Sequence, residues 1–195
     1  MNVRSTRWIR LVLAVSLLAA GCATGRDAVV QGGDFAFVSP GGQTRIVYDR
    51  RDRKRVREIS GESVTAPGER ISLRSYEGRV VVLNLWASWC APCRTESHEF
   101  GKLTDEGAAK GFPVVGVDVR DDRSAASDFM TGFGVRYPSI YDPSSRIGLA
   151  LPGIPLAAVP ITLVIDRRQR VAAVFLGAVL ASDVLPAINA VLAES

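Results

Sequence analysis

Cysteine is scarce in this chain of 195 residues: three in all, at positions 22, 90 and 93. A framework of several disulfides is thereby excluded, and the fold must rest on an apolar core. Histidine occurs once, as His98. Cys90-x2-Cys93-x4-His98 opens like a zinc knuckle, but Leu103 stands where the fourth ligand would fall, so a closed tetrahedral site is incomplete. Covalent haem attachment would need histidine directly after the second cysteine, and Arg94 is there instead. Leu11–Ala20 is a short apolar run interrupted by Ser16, well under the about 20 residues of a permanent membrane span. Repeats and low-complexity tracts are absent. Nor is there a basic excess worth reading as nucleic-acid binding. Lys and Arg number 24 against 20 Asp and Glu, a net +4, and three of the arginines (Arg4, Arg7, Arg10) fall within residues 1–21, whose removal leaves +1.

What is present is an ordinary globular composition, 47% hydrophobic and 23% charged, enough for one core and one domain. The chain is organised around residues 80–93, Val-Val-Val-Leu-Asn-Leu-Trp-Ala-Ser-Trp-Cys-Ala-Pro-Cys. Val80–Trp86 reads as a buried strand. Three residues later comes Cys90-Ala91-Pro92-Cys93, and a helical pattern follows. The start of that helix offers unpaired N–H groups and the positive end of the dipole, which stabilise a thiolate at Cys90. Pro92 suits the first turn, where its missing N–H has no partner to lose. Cys93 lies one helical turn from Cys90, close enough to close a disulfide or to release a partner from a mixed one. This makes a redox site rather than a metal site, provided the sulfurs are not buried, far apart or bridged by a metal ion.

Trp86-Ala87-Ser88-Trp89-Cys90-Ala91-Pro92-Cys93-Arg94-Thr95-Glu96 resembles the active-site stretch of the thioredoxin superfamily, nearest to its membrane-anchored TlpA/ResA-like branch. The resemblance extends over residues 34–194 and implies a thioredoxin fold: α/β, a central mixed sheet flanked by helices, with an N-terminal β-hairpin extension. Periodicity alone reaches only α/β. The order of elements, β-β, β-α-β-α, then β-β-α, suggests a mostly parallel sheet with an antiparallel C-terminal edge.

Three arginines ahead of a short apolar run read as a secretory signal peptide. The run ends Leu18-Ala19-Ala20-Gly21-Cys22, which resembles a bacterial lipobox and implies cleavage before Cys22 with lipid on its sulfur. Ala19 stands where Leu is usual, so ordinary signal-peptidase cleavage stays open. The expected organisation is a signal peptide at 1–21, a lipidated tether at 22–33, and a thioredoxin-like domain at 34–195, extracytoplasmic and held to a bacterial membrane.

Along the domain, Phe35–Val38 and Arg45–Tyr48 read as two strands about the turn Ser39-Pro40-Gly41-Gly42. Arg50–Arg57 carries six basic residues against one acid, read as a solvated loop, with anionic headgroups as the sharper alternative. A helix follows Cys93 and ends between Gly107 and Gly111. A second strand covers Phe112–Val119, a helix Ser124–Phe133, and a short extended piece Ser139–Tyr141. Strands at Ile161–Ile165 and Val171–Leu176 flank a hairpin turn in which Gln169 stands where the resembled family usually has glycine. Ser182 is expected to cap a last helix with Val184, Leu185, Ile188, Val191 and Leu192 on one face.

The resemblance also assigns roles. Pro160 matches the cis-proline that faces the disulfide, which would let the Val159 backbone pair with an incoming peptide. Glu96 matches a glutamate thought to influence thiol pKa and proton transfer. Asn84 stands where thioredoxin has a buried aspartate, so Glu96 or water must move the proton. Trp89 is expected to wall the substrate groove and Trp86 to lie in the core. His98 reads as a surface helix residue close enough to be a candidate tuner of Cys90. Implied partners are exported protein thiols or disulfides and a membrane redox partner, with no cofactor and no metal. The branch includes reductants serving haem attachment to apocytochrome c and oxidants of the DsbE kind; Ala91-Pro92 lacks the histidine of strong oxidants such as DsbA, which favours reduction. A thiol peroxidase would carry Thr or Ser where Ala87 stands, and a Sco-type copper chaperone would need Cys-x3-Cys and a distant histidine. A non-catalytic envelope protein is the remaining alternative.

Overall fold

The run of apolar residues before the cysteines becomes β4 (Val81–Trp86), buried at all six positions. The computed structural model describes residues 34–194; the signal peptide, the tether and Cys22 lie outside the described residues. β5 (Val114–Val119) is equally buried. Strands covered on both faces read as continuous apolar runs rather than alternating ones. β4 pairs parallel with β5, Val82 opposite Val114, and antiparallel with β7 (Ile161–Ile165), Leu85 opposite Ile161. The remaining strands are β1 (Arg45–Val47), β2 (Ser60–Ser63), β3 (Arg70–Ser72), β6 (Ser139–Asp142) and β8 (Val171–Leu176). The sheet order is β1-β8-β7-β4-β5-β6-β2-β3.

Three α-helices cover this sheet among the described residues: α1 (Ala91–Lys110), α2 (Arg123–Gly132) and α3 (Ala181–Leu192). Ala126, Phe129 and Met130 of α2 join Leu83, Val117 and Leu163 in one core cluster. Phe100 and Leu103 of α1, with Val184, Ile188 and Val191 of α3, join Val82, Val114 and Val164 in another. Each of the larger of these side chains, Val, Leu, Ile, Met or Phe, contributes about 2 kcal/mol when fully buried. The end of α1 is set by two glycines. Gly111 caps it at φ 82°, a left-handed position where glycine carries no Cβ penalty, and the Phe112 carbonyl occupies the space a Cβ on Gly107 would fill.

Four expectations are corrected. Phe35–Val38 forms no strand; Phe35 N–H donates to Arg55 O (2.7 Å) and Phe37 N–H to Pro152 O (2.7 Å). β1 therefore has no hairpin mate beside it and pairs with β8 at the far edge, while the hairpin preceding β4 is β2–β3. Nor is the sheet mostly parallel: only β4–β5 and β5–β6 run parallel, and the other five pairings are antiparallel. The capping position of α3 is Leu180 rather than Ser182, and Asp183 reaches back to accept from Leu180 N–H (3.0 Å). Gln169 takes φ 59° in the β7–β8 turn; Asp166 holds that turn by accepting from the N–H groups of Arg168 and Arg170 (3.0 and 2.9 Å), offsetting a left-handed cost of roughly 1–2 kcal/mol.

The basic stretch is a network of pairs. Arg57 meets Asp34 (2.6 Å) and Arg55 meets Glu77 (3.2 Å). Arg53 is buried, its guanidinium bidentate on Glu194 (2.7 Å to each oxygen) and 3.5 Å from buried Asp166. A solvated loop describes the rest of the run but not this residue. Arg53→Ala is expected to lower the unfolding free energy by about 2 kcal/mol, because Asp166 keeps Arg170 but loses its second cation. Urea denaturation checks this; an unchanged midpoint would show that the pair contributes nothing net.

Candidate active site

β4 delivers the chain to α1 through Ala87-Ser88-Trp89, and Cys90 takes the N-cap position. Its sulfur accepts from the N–H of Cys93 (3.2 Å), one of the first-turn donors that the helix itself cannot satisfy. Cys90 and Cys93 are joined as a disulfide, S–S 2.08 Å and Cα–Cα 5.3 Å. The Val159–Pro160 peptide is cis, and the Val159 carbonyl oxygen lies 3.4 Å from Cys90 Sγ. Thus Cys90, Cys93, Val159 and Pro160, separated by up to 70 positions in the chain, meet at one point. No group of three or more His, Cys, Asp or Glu residues suited to a metal ion exists among the described residues.

The sulfurs are bonded to each other, but they are not open. Cys90 is 3% exposed and Cys93 2%, against the expectation of a reachable pair. Both belong to the core cluster that contains Val159 and Ile161, while their chain neighbours Trp89 (47% exposed), Ala91 and Pro92 face solvent. Trp89 is pinned. Its indole N–H donates to Arg120 O (3.0 Å), the Arg120 guanidinium sits 5.3 Å from the ring centroid, and that guanidinium also donates to Leu156 O (3.1 Å) in the segment leading to Pro160. Asp121 holds the preceding residue through both the N–H and the hydroxyl of Ser88. Neither Arg120 nor Asp121 carries a signal in the sequence, because only the β5–α2 turn brings them to this loop.

Glu96 is 3% exposed on the Cys93 face of α1. Its two oxygens accept from Asn84 Nδ2 (3.0 Å) and Val179 N–H (3.2 Å). Burial pushes its carboxyl up to about 7, against these two hydrogen bonds, which pull it down. Asn84 is a buried amide with a partner on each polar atom, Nδ2 donating to Glu96 and Oδ1 accepting from Tyr137 O–H (3.0 Å). Trp86 is core, stacked on Phe129 at 4.9 Å. His98 is exposed on α1. A cleft of about 640 Å³ lined by Arg57, Glu62, Arg123, Tyr141 and Arg146 contains none of these residues.

Asp118, the one acid in β5, lies opposite Trp86 of β4. It is wholly buried, and neither oxygen has a hydrogen-bond partner among the described residues. Burial first, then neighbouring Asp121 and Asp142, push it up to about 9. The folded state therefore keeps a proton that the unfolded chain has lost between about pH 4 and pH 9, and stability falls as pH rises through that window. Asp118→Asn is expected to raise the melting temperature by roughly 5 °C at pH 8 and to change little below pH 4. Calorimetry at both pH values decides; an equal effect at each would mean that Asp118 does not hold a proton.

Comparison with known proteins agrees with this geometry. The Redoxin family matches residues 52–192. The chain is 29% identical over 110 residues to the thiol-disulfide oxidoreductase ResA of Bacillus subtilis, covering 56% of this chain and 60% of that protein. It is 37% identical over 111 residues to the thiol:disulfide interchange protein DsbE of Yersinia pestis, covering 55% and 54%. The chain thus spans little more than half the length of these curated relatives. Among solved structures, a secreted thiol-disulfide isomerase from Corynebacterium glutamicum superposes with a TM-score of 0.79 at 43% identity, over 84% of this chain and 100% of that one. A DsbF homologue from Corynebacterium diphtheriae gives 0.76 at 44% identity, over 81% and 99%. With a mixed sheet, flanking helices and a cysteine pair capping the first of them, the chain belongs to the Redoxin family and has the thioredoxin fold.

Proposed function

We propose that this protein is an extracytoplasmic thiol–disulfide oxidoreductase that exchanges its Cys90–Cys93 disulfide with thiols and disulfides of exported proteins. The observation that carries this reading is the N-cap placement of Cys90, with the Cys93 N–H aimed at its sulfur beside the cis peptide of Pro160. In the reducing direction the Cys90 thiolate attacks a substrate disulfide and forms a mixed disulfide, expelling one substrate sulfur as thiolate. Cys93 loses its proton and attacks Cys90 Sγ, the mixed S–S bond breaks, and the second substrate sulfur leaves with the electron pair. The substrate gains two electrons and two protons, and Cys90–Cys93 is oxidised. The oxidising direction reverses each step.

Val159 and Pro160 would receive the substrate backbone, and Trp89 would wall the groove. Glu96 is the base within the protein for the Cys93 proton, because Asn84 cannot titrate. Reduction of apocytochrome c for haem attachment is the favoured physiological role, supported by the likeness to ResA and DsbE and by the absence of histidine between the cysteines. A peroxidase reading is weaker, since buried Ala87 supplies no hydroxyl beside Cys90. Lipid on Cys22 would hold the domain at the membrane, near a membrane redox partner; Cys22→Ser should then shift the protein from the membrane to the soluble fraction.

Cys93→Ser is expected to accumulate mixed disulfides through Cys90 in native membranes, visible as reducible adducts on non-reducing gels, whereas Cys90→Ser should give none. A folded Cys93→Ser protein that traps no partner would count against this function.

A further inference from the structure

Behind the cysteines, three side chains from three separate elements form a continuous buried chain of hydrogen bonds. Tyr137, in the segment between α2 and β6, donates its hydroxyl to Asn84 Oδ1 (3.0 Å). Asn84, on β4, donates Nδ2 to Glu96 Oε1 (3.0 Å). Tyr137 is 5% exposed, Asn84 1% and Glu96 3%. The tyrosine is held in place from two sides: its ring lies 5.7 Å from that of Phe100 on α1, and its edge, with Ser139 Oγ and Trp86 Nε1, crowds the space a Cβ on Gly116 of β5 would fill.

An asparagine amide can stand in two orientations. With its NH2 toward Glu96 it favours the carboxylate, which only accepts. Turned over, it presents an oxygen, which repels a carboxylate and welcomes a protonated carboxyl as donor. The partner on the far side selects between them. A phenol hydroxyl hydrogen needs an acceptor, and Asn84 Oδ1 is the one given. If the amide turned over, that hydrogen would lose its acceptor in a buried place, which is costly.

We propose that Tyr137 is a positioning residue: its hydroxyl fixes the Asn84 amide with the NH2 directed at Glu96, and so keeps the Glu96 carboxyl able to take the proton of Cys93 when the mixed disulfide is resolved. The proton step is balanced. Cys93–SH and Glu96 carboxylate become Cys93 thiolate and Glu96 carboxylic acid, and the thiolate then attacks Cys90 Sγ while the substrate sulfur leaves as thiolate and is protonated by Glu96 or solvent. This role rests on the exchange reaction proposed above.

The surroundings of Glu96 leave Tyr137 and Asn84 in control. Asn84 from β4 and the Val179 N–H from the β8–α3 connection bond to it, Tyr137 from the α2–β6 segment stands behind Asn84, and Cys93 is buried three residues earlier on its own helix. Thr162, the cross-strand neighbour of Asn84 on β7, adds a buried hydroxyl without a partner among the described residues. Of these groups only the thiol and the phenol titrate, and burial, then the Glu96 charge, hold the phenol well above its ordinary value, so Tyr137 remains a donor. Glu99, the next acid on α1, is turned away to Lys102 and the Ala181 N–H.

The test follows the Glu96 side-chain carbon by NMR across pH in the full-length protein with its disulfide intact, which needs no turnover. Tyr137→Phe is expected to move the Glu96 midpoint upward by roughly half to one pH unit, the preference a single hydrogen bond exerts between two protonation states. In single-turnover exchange with a disulfide peptide, the same variant should be about 3–10-fold slow at pH 6.5 and close to normal at pH 8.5. Asn84→Leu, similar in shape, removes both links; it should raise the midpoint at least as far and make Tyr137→Phe silent in the double variant. An unmoved Glu96 midpoint in folded Tyr137→Phe, or additive shifts in the double variant, would overturn the role of Tyr137. If Tyr137→Phe fails to fold, a normal midpoint in Asn84→Leu overturns it equally. A wild-type protein that does not exchange disulfides, yet shows these shifts, would contradict the proposed function and leave the positioning intact.

Discussion

One backbone N–H, that of Cys93, points at one sulfur, that of Cys90, and much of the molecule serves to keep it there. A helix start lends about half a positive charge to whatever caps it, and here the cap is a cysteine. Holding that geometry requires a strand that cannot shift, which β4 provides by being buried throughout and flanked by partners on both sides. It requires a helix that cannot tilt, which Phe100 and Leu103 provide by packing with α3. The loop between them is tied by Asp121 to Ser88 and by Arg120 to Trp89.

Two buried carboxyls flank this arrangement, and their surroundings separate their behaviour. Glu96 has a donor for each oxygen, and burial leaves it near neutrality, where a group can both accept and return a proton. Asp118 has no donor and two acidic neighbours, so it stays protonated through the physiological range. The first suits proton traffic. The second is a destabilising feature close to the loop that positions Cys90, through Asp121, which both faces Asp118 and holds Ser88. The two cysteines themselves are 2–3% exposed and sit in the core cluster, while Trp89, Ala91 and Pro92 beside them in the chain are exposed.

Local patterns in the sequence were the reliable ones. Strand, cysteine pair and helix follow one another within thirty residues, and Gly111 and Pro160 sit where chain direction demands them. Long-range pairing was not legible. Phe35–Val38 has the composition of a strand but spends its N–H groups on Arg55 and Pro152 rather than on a ladder. Arg53 looks like any member of a basic run, and only the fold reveals that Glu194 and Asp166 wait for it. Tyr137 lies 53 positions from Asn84; no spacing rule connects residues at such separation. Asp118 is an acid in an apolar strand, yet its acidic neighbours Asp121 and Asp142 come from other segments of the chain.

The proposed exchange reaction requires that the mouth of α1 stabilise a thiolate at Cys90 against the burial that opposes it. Ultraviolet titration of the thiolate in a Cys93→Ala protein, which leaves Cys90 as the only thiol in the described domain, tests this most directly. A midpoint well below the about 8.5 of a free cysteine is expected. A midpoint at or above that value would show that desolvation outweighs the helix terminus, and would contradict it.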